Sequence, residues 1–171
     1  MDGLETARLQ LRRFTMDDLA AYTEIRRQCS FCRYLPGGEA AAADAEKRAR
    51  QMIKQCLRQY AQAQMGTFAV IAKNTGQLIG HGGLRRLEKS PDDELLYGLQ
   101  ERFWGQGLAT ELCRAVLAAR RQDAAPMTSV KAMVMIENHA SMRVLEKLGF
   151  NFEKQMNYFG TGQVAFYSLA L

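Results

Sequence analysis

Two closely spaced glycines, Gly105 and Gly107, follow an apolar run (Leu95, Leu96, Tyr97, Leu99) and precede a helical pattern that begins at Leu108. Glycine takes positive φ without a Cβ clash and lets another group approach the backbone closely. Where such a turn opens into a helix, free N–H groups and the positive end of the helix dipole point the same way and favour an anion. The chemistry this spacing offers is phosphate binding by main-chain amides. Two other phosphate loops are excluded. Thr110 stands where a dinucleotide fingerprint needs its third glycine, and no Gly-Lys-Ser/Thr follows as a Walker loop requires. What remains is Arg-x-x-Gly-x-Gly, written Arg102, Gly105, Gly107. A turn required only by topology would show the same letters, so the neighbouring residues have to decide.

Several of those neighbours can move protons or hold ligands. Glu94 opens the strand before the turn and is a candidate base; alternatively Asp92, Asp93 and Glu94 form one solvated acidic turn after Pro91. His81, among Gly80, Gly82 and Gly83, is a second candidate, because an unperturbed imidazole titrates at about 6.5. Asn138 and Ser141 stand three apart, the spacing of an N-cap and its N3 position, and both side chains can also face a ligand. Cys113 lies within the helix after the turn, beyond the reach of its N-terminal dipole and with no nearby histidine in sequence. Transfer through a covalent cysteine intermediate is therefore not expected. Cys29-x-x-Cys32 is half a zinc site, but no second cysteine pair exists and the histidines lie at 81 and 139, so no metal is expected.

Elements that position these groups follow from periodicity. Residues 6–14 alternate as a half-buried strand, and Thr15 caps a helix reaching about residue 29. Residues 31–38, with Pro36-Gly37-Gly38, read as loop, and 40–64 as an amphipathic helix with Ala49, Met52, Ile53, Cys56, Leu57 and Tyr60 on its apolar face. Strands are expected at 67–72 and 77–86, joined by a tight turn at 73–76, and at 95–100. The helix after the glycines turns Leu108, Leu112, Ala115, Val116 and Ala119 to one side. A strand at 130–136 is apolar through its centre, which predicts burial on both faces. A short helix at 140–148 stops at Gly149, and 150–158 with 164–171 form a hairpin around Gly160-Thr161-Gly162. The class is α/β with a mixed central sheet flanked by helices, in a single domain spanning 1–171.

The stretch Phe103-Trp104-Gly105-Gln106-Gly107-Leu108-Ala109-Thr110-Glu111, with Asn138-His139-Ala140-Ser141-Met142-Arg143-Val144-Leu145-Glu146-Lys147-Leu148-Gly149-Phe150 downstream, resembles the GNAT superfamily of acyl-CoA-dependent N-acetyltransferases. It is most similar to the Rim-type branch, which acetylates protein N-termini. The resemblance implies the GNAT fold and acetyl-CoA as co-substrate. Coenzyme binding would then fall to Arg102, Gly105, Gln106, Gly107, Leu108, Ala109 and Thr110, mostly through main-chain N–H groups, with Asn138 on the pantetheine arm or a water. It implies that the Leu99 N–H receives the oxyanion, that Glu94 acts as base directly or through water, and that Ser141 protonates or hydrogen-bonds the departing thiolate. Many members carry a tyrosine at the position of Leu145, which departs from that pattern. Phe31 and Tyr34 fall on the acceptor-side wall, with His81 as a further acceptor-side residue. Trp104 is expected to pack locally.

Composition is consistent with this. Apolar residues make up 47% and charged ones 24%, ordinary for a globular protein, and no apolar run approaches the ~18 residues of a membrane span. The start, Met-Asp-Gly-Leu-Glu-Thr, lacks the basic-then-apolar pattern of a secretory signal, so a cytoplasmic protein is expected. The net charge of +5 suits a polyanionic ligand, and its even spread argues against a nucleic-acid arm. The expected acceptor is a protein N-terminal α-amino group, titrating at about 7.7–8.0 and so partly neutral near pH 7, unlike lysine at about 10.4. The alternatives are a small-molecule amine, or an acyl-CoA-binding module without catalysis. Monomer and homodimer both remain open.

Overall fold

Leu9 and Leu11 are buried while Gln10 is exposed, so the first predicted strand is half-buried as its alternation requires. The computed structural model describes residues 3–62, 66–86, 92–122, 129–158 and 162–170. That strand, β2 (Leu9–Arg12), pairs with a short strand not anticipated from sequence, β1 (Gly3–Glu5). Six more follow: β3 (Thr67–Ala72), β4 (Gln77–Arg86), β5 (Asp93–Leu99), β6 (Ser129–Met135), β7 (Asn151–Tyr158) and β8 (Gly162–Ala170). They form one eight-stranded sheet in the order β1-β2-β3-β4-β5-β6-β8-β7. Every pairing is antiparallel except β5 with β6. The expected turn around Gly160 and Thr161 lies outside the described residues.

Among the described residues, five helices flank the sheet: α1 (Leu19–Arg26), α2 (Cys29–Cys32), α3 (Ala45–Ala61), α4 (Leu108–Arg121) and α5 (His139–Lys147). Asp18 starts the first by accepting from the Thr15 amide at 2.9 Å while Arg12 donates to both its oxygens, at 2.8 and 2.7 Å. The chain then breaks at Gln28, whose backbone is extended, and Phe31 and Cys32 complete α2 rather than opening the loop. The helix expected from residue 40 begins as a 3-10 turn, Glu39–Asp44, and becomes α-helical only at Ala45. Ala49, Ile53 and Cys56 face inward as predicted, whereas Leu57, expected on the same face, lies at its edge and is exposed; the Tyr60 hydroxyl ties α3 to the sheet by accepting from the Phe14 amide and donating to the Thr67 carbonyl.

Two cores result. One lies between α1–α3 and the sheet, where Phe14, Tyr22, Phe31 and Ile53 meet Ala69 of β3. The other lies under α4 and α5. On α4, Leu112 and Val116 are fully buried and Leu108 and Leu117 nearly so, worth roughly 1.5–3 kcal/mol each by transfer of apolar surface. Burial along β6 corrects one expectation. Val130, Ala132 and Val134 are buried while Ser129, Lys131, Met133 and Met135 are only partly so. One face packs, because the core under α1–α3 takes its strand residues from β3 and β4 and does not extend over β6.

Candidate active site

The parallel strands β5 and β6 touch only at their beginnings, through Asp93↔Val130 and Glu94↔Lys131. Each then stays with its antiparallel neighbour, β5 with β4 as far as Leu99↔Gly80 and β6 with β8 as far as Met135↔Val164. The sheet therefore splits into a wedge. The Gln100 amide donates to the Ile79 carbonyl of β4 at 2.9 Å. Because N–H and C=O directions alternate along a strand, the N–H groups of Leu99 and Tyr97 face the opening. The Leu99 carbonyl, on that same edge, accepts from the Trp104 indole at 2.7 Å. Trp104 thus packs locally, as expected, and fixes the end of β5.

A 3-10 turn, Glu101–Phe103, leads from the wedge into the two glycines. Both have positive φ, +72° at Gly105 and +77° at Gly107, and Gly107 is the N-cap of α4. A Cβ would meet nothing within 4 Å at Gly105 and only an arginine nitrogen at 3.6 Å at Gly107. Conformation rather than space thus demands glycine here. The turn, the wedge, α2 and α5 enclose a cavity of about 260 Å³. A larger groove of about 850 Å³ between α1 and the β3–β4 turn is shallow and open; the enclosed cavity is where the strand edge, the glycine turn and a helix start converge.

On the far wall, the Asn138 side chain accepts from the Ser141 amide at 3.1 Å and caps α5 as the spacing implied. Ser141 Oγ lies 2.6 Å from the Tyr97 hydroxyl. Burial pushes the Tyr97 phenol well above its ordinary value, so it stays protonated and can hold the Ser141 oxygen while the serine proton faces the cavity. Sequence reasoning passed over Tyr97 as a strand residue. Its signal was the period-two step from Leu95, which puts it on the same face of β5 as Leu95 and Leu99, toward α4 and α5.

The match that decides the family covers residues 8–151, aligned to a model described as "Acetyltransferase (GNAT) domain". The chain belongs to the GNAT acetyltransferase family. An uncharacterized N-acetyltransferase, p20, of Bacillus licheniformis is 25% identical over 154 residues, 90% of this chain and 84% of that protein. Ribosomal-protein-S5-alanine acetyltransferase from Vibrio fischeri shares the fold with a TM-score of 0.80 at 17% identity, over 98% of this chain and 96% of that one. RimJ of Mycobacterium smegmatis, solved in complex with a coenzyme A disulfide, gives 0.75 at 20% identity over 95% and 81%. Like other GNAT enzymes, the chain is an acetyl-CoA-dependent N-acetyltransferase. Its residues fit that co-substrate: the wedge has the form of a slot for an extended chain, and the glycine turn has the form of a cradle for a diphosphate. Arg143 and Lys147 on the cavity and Arg8 and Arg114 on the adjoining groove supply positive charge.

Most of the residues anticipated for this GNAT site come together. Leu99, Gly105, Gly107, Leu108, Ala109, Thr110, Asn138 and Ser141 line the cavity, with Phe31 and Tyr34 on the α2 side. Four do not. The Arg102 guanidinium turns outward, donating to Gln77 Oε1 at 3.0 Å and lying 4.9 Å over the Phe103 ring. The Gln106 side chain folds back onto the Arg102 carbonyl at 2.8 Å. Glu94 lies on the opposite side of β5 from Tyr97, and Arg85 donates to its buried carboxylate through Nε and Nη2. It stands four residues before Gly98, about 13 Å at the usual strand rise, and does not line the cavity. Nor is the 92–94 stretch a solvated acidic turn, since Asp93 is buried between Arg120 at 2.8 Å and Arg86 at 3.0 Å.

His81 is likewise a structural residue here. It is buried behind Phe31, with its ring 5.8 Å from that ring and Nδ1 2.9 Å from the Tyr22 hydroxyl. Arg26 also donates to that hydroxyl at 3.3 Å, so the imidazole is engaged in a buried Arg26–Tyr22–His81 chain of hydrogen bonds. Burial, reinforced by the Arg26 charge, lowers the His81 pKa to about 3. Such a group is neutral near pH 7 but too weakly basic to collect a proton from an amine. Cys113 is fully buried and burial pushes its thiol up, which removes it as a nucleophile. Among the described residues no cluster of His, Cys, Asp and Glu could hold a metal, and no helix is long and apolar enough to cross a membrane.

Proposed function

We propose that this GNAT enzyme acetylates a protein N-terminal α-amino group by direct attack in a ternary complex, in the cytoplasm. One observation carries the reading: among the described residues, no carboxylate and no imidazole lines the cavity. The acceptor must therefore arrive largely deprotonated. Near pH 7.5 roughly a third of an α-amino group is neutral, against about 0.1% of a lysine side chain, a difference of a few hundredfold. Arg143 and Lys147 on the wall act in the same sense by disfavouring an ammonium ion. The relation in fold to a ribosomal-protein-S5-alanine acetyltransferase supports an acceptor of this type.

The roles of the residues follow from where they stand. Main-chain N–H groups of the turn from Gly105 to Thr110 hold the diphosphate, and Asn138 faces the pantetheine arm. As the amine attacks the thioester carbonyl, a C–N bond forms and negative charge gathers on oxygen; the Leu99 N–H faces that charge. The C–S bond then breaks, and Ser141, whose oxygen the protonated Tyr97 holds, gives its proton to the thiolate and takes one back from water. The surplus proton on nitrogen leaves to water. Phe31 and Tyr34 flank the acceptor's first residue.

Thiol release from acetyl-CoA tests the proposal with three acceptors. These are an Ala- or Ser-starting peptide, the same peptide with a blocked α-amine and a free lysine, and a small polyamine or aminoglycoside. Turnover with the first alone is expected. Turnover confined to the small amines would make this a small-molecule enzyme, and coenzyme binding without turnover of any of them would make it a binding module.

A further inference from the structure

Glu111, in the first turn of α4, carries a negative charge beside the place proposed for a diphosphate, an arrangement that by itself opposes anion binding. The structure answers that charge fully. Glu111 Oε1 accepts from Thr6 Oγ1 at 2.6 Å and from the Arg8 amide at 2.9 Å, and Oε2 accepts from Arg8 Nε at 2.7 Å. Arg8 Nη2 completes the ion pair at 2.7 Å. Burial works against ionisation of Glu111, but these hydrogen bonds outweigh it and hold the carboxyl below its ordinary value. The remaining nitrogen, Arg8 Nη1, donates to the Gln106 carbonyl at 2.8 Å. One guanidinium thus bridges the helix start to the peptide between the two glycines.

That last bond has a directional consequence. A trans peptide is planar, with C=O and N–H pointing in opposite directions. Because the Gln106 carbonyl is drawn to Arg8, on the side of the β1–β2 turn, the N–H of Gly107 in the same peptide is turned the other way, and Gly107 lines the cavity. With a glycine on either side, only the Gln106 side chain, anchored on the Arg102 carbonyl behind the turn, opposes a flip of this plane, which would present a carbonyl oxygen to the phosphates instead. We propose that Arg8 and Glu111 are positioning residues for coenzyme recognition, forming a strut that locks the Gln106–Gly107 peptide with its N–H toward the diphosphate and neutralises the carboxylate beside it. The proposal rests on the coenzyme site described above. It enlarges that site to the N-terminal turn at Thr6 and Arg8, which no glycine motif marks.

Calorimetric titration of the full chain with three ligands tests it: coenzyme A, 3′-dephospho-coenzyme A, and pantetheine, which has no diphosphate. Arg8→Ala is expected to weaken both coenzyme forms about 10-fold or more and equally, while pantetheine binding stays within about twofold of the parent protein. Glu111→Gln, which keeps the shape and one acceptor oxygen, should show the same pattern at smaller amplitude, and Arg8→Lys should not restore the loss, since an ammonium cannot bridge both sites. Equal losses on all three ligands would reduce the strut to general structural support and overturn the proposal. So would a loss confined to the 3′-phosphorylated form, which would mean direct contact between Arg8 and that phosphate, and so would unchanged binding. Failure of the parent protein to bind coenzyme A at all would instead remove the underlying site, and is read from the first titration before any variant is made.

Discussion

At the start of β5, Asp93 sits between Arg86 and Arg120 and Glu94 against Arg85, with both carboxylates buried. At its end, Tyr97 and Leu99 border a cavity with no carboxylate at all among the described residues. The first end is also where β5 is paired on both sides, and the second is where β6 has left it. Buried charge is tolerated only when it is partnered, so the acids tie the start of β5 to Arg85 and Arg86 of β4 and to Arg120 of α4, and are spent there. The splayed end keeps neutral donors, N–H and O–H groups that can meet charge as it develops without having to be neutralised first. In the proposed reading, one short strand thus separates anchoring from chemistry by position alone.

The comparison is broken most severely by closing the open end. Gly107→Val forces a β-branched residue to a φ of +77° and should weaken coenzyme A binding at least about 100-fold in calorimetry, roughly 2.7 kcal/mol, while circular dichroism shows the fold retained. Ser141→Ala should lower kcat on the order of 10- to 100-fold with little change in KM for acetyl-CoA, and Tyr97→Phe should lose less in the same direction. Steady-state kinetics would contradict the assignment if Ser141→Ala raised KM and left kcat alone.

Changes at structural positions should act on stability instead. His81 is depressed to about 3 when folded and titrates at about 6.5 when unfolded, so the unfolded chain binds the extra proton first. The stability it contributes is present above about pH 6.5 and falls away as the pH drops towards 3, by an amount on the order of a few kcal/mol. Thermal denaturation across that range should show the loss, and His81→Gln should flatten it. Glu94→Gln sharpens the comparison with the smallest effect. The broken pair with half-exposed Arg85 should cost roughly 1–3 kcal/mol in denaturant titration, with kcat within about twofold of the parent. A large fall in kcat at unchanged stability would return Glu94 to the chemistry.

Much of this was legible because it is local. The positive φ of Gly105 and Gly107, the start of α4 behind them and the Asn138 cap on Ser141 each follow from residues within one turn of one another. What stayed hidden depends on long-range partners. Glu94 opens its strand as a candidate base would, and only Arg85 across the sheet shows it is engaged. His81 has a useful intrinsic pKa until Tyr22 and Phe31 bury it. Tyr97 meets Ser141 44 residues away, and Arg8 meets Glu111 at a separation of 103. The splay itself is a pairing that stops, and no residue type encodes where two parallel strands part company.

A cavity with no carboxylate and no imidazole among its described lining residues leads the proposed reading to a distinctive demand on kinetics: the ionisation that governs the rate should belong to the acceptor. The pH dependence of kcat/KM should therefore be measured with two peptides whose α-amino pKa values differ by about one unit, set by the choice of first residue. The midpoint of the rising limb is expected to move with the peptide by that same amount. A midpoint fixed at one pH for both peptides would reveal a titrating group of the enzyme and contradict the account.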